Sequence, residues 1–395
     1  MKYKHIIDFV RSLYPNKGFI PLHEPYFGGN EKKYLNECID STFVSSVGKF
    51  VDRFEEMIKE HTGAKYAIAT VNGTSALHVA LKLAGVQQDD LVITQPLTFV
   101  ATCNAISYCG ADSVFIDIDK DTLGLSSDAL KIWLENNTII EGDSCYYLPR
   151  IDANDKTRMN ADVNELRRIS ACVPMHSFGH PCKIDMIVEV CDKYHITVVE
   201  DSAESLGSYY KEQHTGTFGK LGILSFNGNK TITTGGGGMI LTNDDELGPL
   251  AKHITTTAKK PHPWKFEHDM IAYNYRMPNV NAALGCAQME RLDDVLKNKR
   301  DTARQYREFF EKMSEVEYIA EPDHSRSNYW LNAILLENYK ERELFLKETN
   351  ENKVMTRPAW ILMNELTMFK DSVAGDLSVA REIADRLVNT PSSRR

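Results

Sequence analysis

Gly222-Ile223-Leu224-Ser225-Phe226-Asn227-Gly228-Asn229-Lys230 runs on through Thr231-Ile232-Thr233-Thr234 into four glycines, Gly235 to Gly238, and the rest of the chain can be read outward from it. The apolar residues Gly222 to Phe226 predict a short strand that delivers one lysine into a glycine-lined turn, where backbone can approach a ligand closely. A lysine amine becomes nucleophilic when desolvation or a neighbouring cation lowers its pKa, and it can then hold an aldehyde cofactor as a Schiff base. The competing interpretation is a solvent-facing loop lysine, because lysine is mostly exposed.

Upstream stands Ile196-Thr197-Val198-Val199-Glu200-Asp201-Ser202-Ala203-Glu204-Ser205-Leu206-Gly207. A β-branched run ending in acid predicts a buried parallel strand with carboxylates at its carboxyl end, the edge at which open α/β sheets bind ligands. Asp201 and Lys230 can then converge from neighbouring strand ends. Pyridoxal phosphate needs that pair, a lysine for its aldehyde and a carboxylate to keep its pyridine nitrogen protonated as an electron sink. Taken without Lys230, Asp201 would read equally well as a helix cap or a loop acid.

The flanking sequence alternates. Strands are expected at 67–71, 91–95, 114–118, 171–176 and 238–242, and helices at 74–84, 99–108, 127–136, 184–194 and 245–255, which is βαβ repetition and implies a mostly parallel sheet with helices on both faces. Residues 138–166 interrupt the rhythm with polar sequence and read as an irregular surface excursion. Ahead of the first strand, helices are expected at 3–13, 31–41 and 49–61. From Pro278 to about Met313 one long or broken helix is expected. Strand 330–336 and helices 339–350 and 377–387 then suggest a smaller α+β unit, placing a large domain at 1–274 and a small one at 275–395.

The 395 residues, 42% hydrophobic and 26% charged, describe an ordinary globular protein with sequence enough for two domains. A net charge of −9 without a basic cluster argues against nucleic-acid binding. Eight scattered cysteines, none in a C-x-x-C pair, read as buried thiols and not as a disulfide frame or a metal site. No window is apolar enough for a membrane span or a signal peptide, so a cytoplasmic location is expected.

Other parts of a cofactor site can be picked out. Asn72-Gly73-Thr74-Ser75 joins the first strand to its helix, and the helix-start N–H groups with the Thr74 and Ser75 hydroxyls suit a phosphate, although plain capping by Thr74 is an alternative. Ser225 could add a hydroxyl. Phe99 is placed to cover one face of an aromatic ring, with a core phenylalanine as the alternative. His176 is expected to be structural. The loop Phe43 to Gly48, through Ser46, offers hydroxyls and backbone donors to a ligand, and Arg357 in Thr356-Arg357-Pro358-Ala359-Trp360 could grip a diphosphate through two hydrogen bonds. A surface ion pair is the alternative for Arg357.

The set G-T-S-A-L, V-V-E-D-S-A-E-S-L-G, S-F-N-G-N-K-T-I-T-T-G-G-G-G and Y-N-Y-R-M-P resembles the sugar aminotransferases of the DegT/DnrJ/EryC1/StrS family, fold-type I pyridoxal-phosphate enzymes, over nearly the whole chain. That resemblance implies that Lys230 binds the cofactor aldehyde, that Asp201 pairs with the ring nitrogen, and that Gly73, Thr74, Ser75 and Ser225 cradle the phosphate, with Phe99 stacked on the ring. It also implies that Asn274 reaches the phosphate in the other subunit of a homodimer with shared active sites. Glu204 stands where many members have glutamine near the ring hydroxyl. The motifs at 43–56 and 174–181 resemble the branch that makes legionaminic acid or bacillosamine. For this chain the branch implies transfer of the L-glutamate amine, by way of pyridoxamine phosphate, to C4 of a UDP-linked 4-keto-6-deoxy-2-acetamido sugar.

Three alternatives stand beside it. Related sugar 3-dehydratases replace the lysine with histidine, so Lys230 argues against that chemistry. A regulator that binds a sugar nucleotide without catalysis is disfavoured by the intact Asp201 and Lys230 pair. A nicotinamide dehydrogenase lacks support because Gly235 to Gly238 does not have G-x-G-x-x-G spacing between a strand and a helix.

Overall fold

The computed structural model describes residues 1–148 and 162–395. Helices α1 (Lys4–Leu13), α2 (Glu31–Ser41) and α3 (Lys49–Thr62) lead into the alternating region. There β1 (Tyr66–Thr70), α4 (Gly73–Leu83), β2 (Leu91–Thr94), α5 (Val100–Tyr108), β3 (Asp112–Phe115) and α6 (Ser127–Asn137) follow one another. Strands β4 (Thr138–Glu141) and β5 (Ser144–Tyr147) come next, then β6 (Arg168–Val173), α7 (Ile184–Lys193) and β7 (Thr197–Asp201). A ribbon of β8 (Tyr209–Tyr210) and β9 (Gln213–His214) precedes β10 (Leu221–Ser225), β11 (Gly238–Thr242) and α8 (Leu247–Thr255).

The strand order β1-β11-β10-β7-β6-β2-β3 makes the central sheet, in which β11 runs antiparallel to both neighbours and the other adjacent pairs are parallel. Alternation along each strand assigns side chains to the two faces. Ile68, Val92, Val199, Ile223 and Ile240 pack beneath α4, α5 and α8. Ala67, Ala69, Leu224, Met239 and Leu241 turn the other way, onto α2, α3 and the helix that follows the lysine region. Because β1, β7 and β10 run the same way, Asn72, Asp201 and Ser225 arrive at one edge of the sheet.

The excursion expected at 138–166 is in part regular. β4 and β5 form a hairpin turned by Gly142 at φ 57, and β5 pairs with the sheet edge at β6. Tyr147 stacks on Trp133 of α6 at 5.8 Å, so the short polar run gains its order from a tertiary contact. Residues 149–161 of that stretch lie outside the described residues.

The expected long helix is two: α9 (Asn279–Met289) and α10 (Leu292–Phe310), broken at Glu290 and Arg291. α9 packs on α2 and α3, whereas α10 runs from that core at Leu292 and Leu296 to a second core at Tyr306 and Phe310. Beyond it lie β12 (Val316–Tyr318), β13 (Ser325–Arg326), β14 (Asn332–Leu336), α11 (Tyr339–Glu351), β15 (Arg357–Pro358), α12 (Ser378–Arg386) and β16 (Leu387–Thr390). Here β12-β14-β16-β15 is an antiparallel sheet, and β13 pairs with β8. α1 belongs to this second core, where Ile6, Ile7 and Val10 meet Tyr306, Phe345 and Val388. Packing therefore groups the amino-terminal helix with the carboxyl-terminal sheet and α9 with the large unit, whereas a division at 274/275 separates both from those partners.

Candidate active site

At the shared edge of β1, β7 and β10 lies a cavity of about 300 Å³, lined among others by Gly73, Thr74, Phe99, Asp201, Glu204, Ser225 and Lys230. The loop after β10 presents the lysine. Phe226 donates its N–H to the Gly237 carbonyl at 2.8 Å and accepts from the Thr234 N–H at 3.0 Å, which closes the loop at its base. The Phe226 ring is buried against Phe54 at 4.9 Å. At the tip, the Lys230 N–H turns back to the Asn227 carbonyl at 3.0 Å. The glycine run serves the chain's approach to itself. A Cβ on Gly238 would overlap the Asn72 carbonyl, so β11 can pass the turn after β1 only as glycine, and Gly235 takes a φ of 80.

Asp201, the last residue of β7, is buried and accepts a hydrogen bond from the Thr102 hydroxyl at 2.8 Å and from the Ala203 N–H at 3.2 Å. Both contacts orient a carboxylate at the cavity wall. Gly73 opens α4 under the cap of Asn72, whose side chain accepts from the Ser75 N–H at 2.7 Å. A Cβ on Gly73 would come within 3.0 Å of Ser225 Cβ, so this glycine lets the helix start lie close to the end of β10. The first turn of a helix presents N–H groups suited to an anion. Phe99 precedes α5 with 48% of its surface exposed, and its ring lies 6.3 Å from Trp360.

Lys230 Nζ lies 3.2 Å from Glu204 Oε1, with the two side chains 12% and 1% exposed. The second carboxylate oxygen accepts from the Phe178 N–H at 2.9 Å. Burial pushes the Glu204 carboxyl up to about 7, against the downward pull of the Lys230 charge and the Phe178 N–H. Lys230 also sits over Trp330, 4.1 Å from the ring centroid, and the indole N–H donates to the Asn229 carbonyl at 2.7 Å. No local sequence signal marks Trp330 or Thr102 as part of the site. Trp330 lies in an apolar run that reads as core, and it reaches the cavity from the far side of the chain.

Four expected site residues do not line this cavity. Ser75 donates its N–H to the cap of α4. Asn274 is exposed, in a bridge to Thr256, and Ser46 lies in the loop ahead of α3. Arg357 is exposed on β15 and donates to Asn350 Oδ1 at 3.1 Å and to the Thr356 carbonyl at 3.0 Å. His176 is buried with Nε2 3.0 Å from Glu200, whose carboxylate also takes N–H bonds from Gly216, Phe218 and Gly219. That network braces the turn behind β7. Among the described residues no group of three or more His, Cys, Asp or Glu is placed to hold a metal, and no helix is long and apolar enough to cross a membrane.

The chain is similar to known proteins over most of its length. A GDP-perosamine synthase of Escherichia coli O157:H7 is 34% identical over 374 residues, covering 95% of this chain and 93% of that protein. One from Vibrio cholerae is 36% identical over 386 residues, covering 94% of each. Spr1654 of Streptococcus pneumoniae, solved in PLP and PMP forms, shares the fold at a TM-score of 0.81 and 21% identity, the PLP form covering 95% of this chain and 93% of that one. The sequence model of the DegT/DnrJ/EryC1/StrS aminotransferase family matches residues 25–395, and the chain belongs to that family.

Proposed function

We propose that this protein is a pyridoxal-phosphate-dependent aminotransferase that moves the amino group of L-glutamate to C4 of a nucleotide-linked 4-keto-6-deoxy sugar. The observation that carries the proposal is the Lys230 amine in one cavity with the Asp201 carboxylate and the start of α4. The residues fit the cofactor: an amine for an aldehyde, a buried carboxylate for a ring nitrogen, and a helix start with Gly73, Thr74 and Ser225 for a phosphate. Phe99 supplies an aromatic face, and Ser75 acts through the capped first turn. When bound, pyridoxal phosphate supplies imine exchange and a protonated ring that withdraws electrons from the reacting carbon.

The Lys230 amine, when free, would serve as the acid and base that carries a proton to and from the reacting carbon. Asp201, held by Thr102 and Ala203, would keep the ring nitrogen protonated. Glu204 faces Lys230 and can share a proton with it or with the ring hydroxyl. The balance is exchange: L-glutamate leaves as 2-oxoglutarate, and the sugar ketone becomes an amine.

A homodimer with shared active sites follows from the same reading. Asn274, Ser46 and Arg357 do not line the cavity of their own chain, and the loops bearing Asn274 and Ser46 also carry exposed Phe43, Val47, Phe266 and Ile271. In a two-fold assembly the partner subunit's Asn274 would meet the phosphate, with Ser46 and Arg357 toward the nucleotide sugar. A cytoplasmic location accords with eight cysteines present as buried free thiols.

Two carriers have support. The motifs at 43–56 and 174–181 favour a UDP-linked 2-acetamido sugar for bacillosamine or legionaminic-type glycans, whereas two relatives named GDP-perosamine synthase favour a GDP-linked one. The test is a panel of UDP- and GDP-linked 4-keto-6-deoxy sugars with L-glutamate, read by mass spectrometry for the amino sugar. Amination of one carrier class selects it, and an enzyme that carries bound cofactor yet aminates neither contradicts the proposed acceptor.

A further inference from the structure

Lys299 of α10 is 1% exposed and makes no ion pair with a carboxylate among the described residues. Burying a lysine this completely is unfavourable unless every N–H is matched. Here three acceptors meet it: the Ser392 carbonyl at 2.7 Å, His23 Nε2 at 3.0 Å and the Trp330 carbonyl at 3.1 Å. An ammonium has three N–H donors, so the match is complete. The three acceptors come from the amino-terminal lead-in, the segment just before β14 and the carboxyl-terminal tail, and the Ser392 N–H returns to the Leu22 carbonyl at 2.7 Å. A methionine would fill the space without desolvating a charge, but it would leave two buried carbonyls without their donor.

Trp330 connects this cluster to the cavity. Its carbonyl is held by Lys299, its backbone N–H by Asn328 Oδ1 at 2.7 Å and its indole N–H by the Asn229 carbonyl next to Lys230. The indole face then lies 4.1 Å from Lys230 Nζ. Burial lowers the Lys299 pKa to about 7, and His23 is depressed first by burial, then by the charges of Lys299 and Lys230. The two lysines therefore lie within electrostatic reach of the same imidazole.

We propose that Lys299 is a positioning residue for the active site: by joining His23, Ser392 and Trp330 it holds the indole against which Lys230 is aimed. The inference rests on Lys230 being the reactive lysine. An enzyme whose reactive amine must find one carbon tolerates little misplacement of its support, so the effect falls on turnover more than on binding.

The test uses the full-length holoenzyme labelled with 5-fluorotryptophan. The chain has four tryptophans, and Trp330→Phe identifies the Trp330 fluorine resonance. In Lys299→Met the Trp330 resonance is expected to shift or broaden while those of Trp133 and Trp264 stay. In the same variant kcat should drop roughly ten- to a hundredfold at nearly constant KM for L-glutamate. If Lys299→Met does not fold, His23→Leu removes a single acceptor and should move the same resonance less. An unmoved Trp330 resonance in a folded variant of either kind overturns the proposal. A wild-type enzyme without cofactor absorbance would contradict the role of Lys230, whereas a moved Trp330 resonance with unchanged kcat in a cofactor-loaded variant would overturn the positioning role alone.

Discussion

Lys230 and Glu204 face each other across 3.2 Å inside the cavity, and Glu204 is tied on its other oxygen to the Phe178 N–H, so the carboxyl group cannot swing away from the lysine without losing that bond. The pair puts a titrating acid beside the amine that the proposed chemistry uses.

Glu204 gives a pH dependence with a defined sign. Its carboxyl is raised from 4.5 to about 7 in the folded chain, first by burial, so the folded state holds the proton more tightly than the unfolded one. Its contribution to stability is fully present below the unfolded value and is lost as pH rises through the folded one. In cofactor-free protein, the stability of wild type relative to Glu204→Gln should therefore fall between pH 4.5 and 7, by at most roughly 3 kcal/mol. Urea unfolding across that window checks it, and a flat difference contradicts it.

Asp201→Asn keeps the shape of the side chain and removes its charge. Cofactor should still bind, because Lys230 and the start of α4 are untouched, while turnover should fall about a hundredfold or more. Loss of cofactor with no loss in the remaining holoenzyme's rate would mean that Asp201 serves only retention.

Gly73→Ala places a methyl within 3.0 Å of Ser225 Cβ. Overpacking of this kind costs about 1–3 kcal/mol, and the strain falls on the proposed phosphate cradle. The expected outcome is weaker cofactor retention in equilibrium dialysis with a smaller change in melting temperature. Unchanged retention would move the phosphate away from this helix start.

The helices and strands around the site were legible because short apolar, β-branched runs alternate with helical periodicity, and Asp201 and Ser225 end their strands while Glu204 and Lys230 follow within a few residues. Long-range choices were not legible. Nothing local in Gly238 to Thr242 marks β11 as the antiparallel strand, and the pattern of α1 shows an apolar face without saying that it packs on Tyr306 and Phe345. Nothing local marks Trp330 or Lys299, because their roles depend on contacts with Asn229, His23 and Ser392, far away in the chain. Asn274, Ser46 and Arg357 are suggested by motif resemblance and loop chemistry alone, and one chain does not bring them to the cavity.

The shared-site dimer can be tested by mixing two inactive chains, Lys230→Ala and Asn274→Asp. A hybrid dimer gathers both defects into one site and leaves the other intact. Activity should return in the mixture toward about half per hybrid, as counting sites requires. No recovery after confirmed subunit exchange would contradict the shared site.

The most direct measurement is where the cofactor attaches. Borohydride reduction of the holoenzyme followed by peptide mass mapping should place the phosphopyridoxyl mass on Lys230, and Lys230→Ala should lose that label, the lysine-aldimine absorbance and turnover. A label on any other lysine, or turnover retained by Lys230→Ala, would contradict the account.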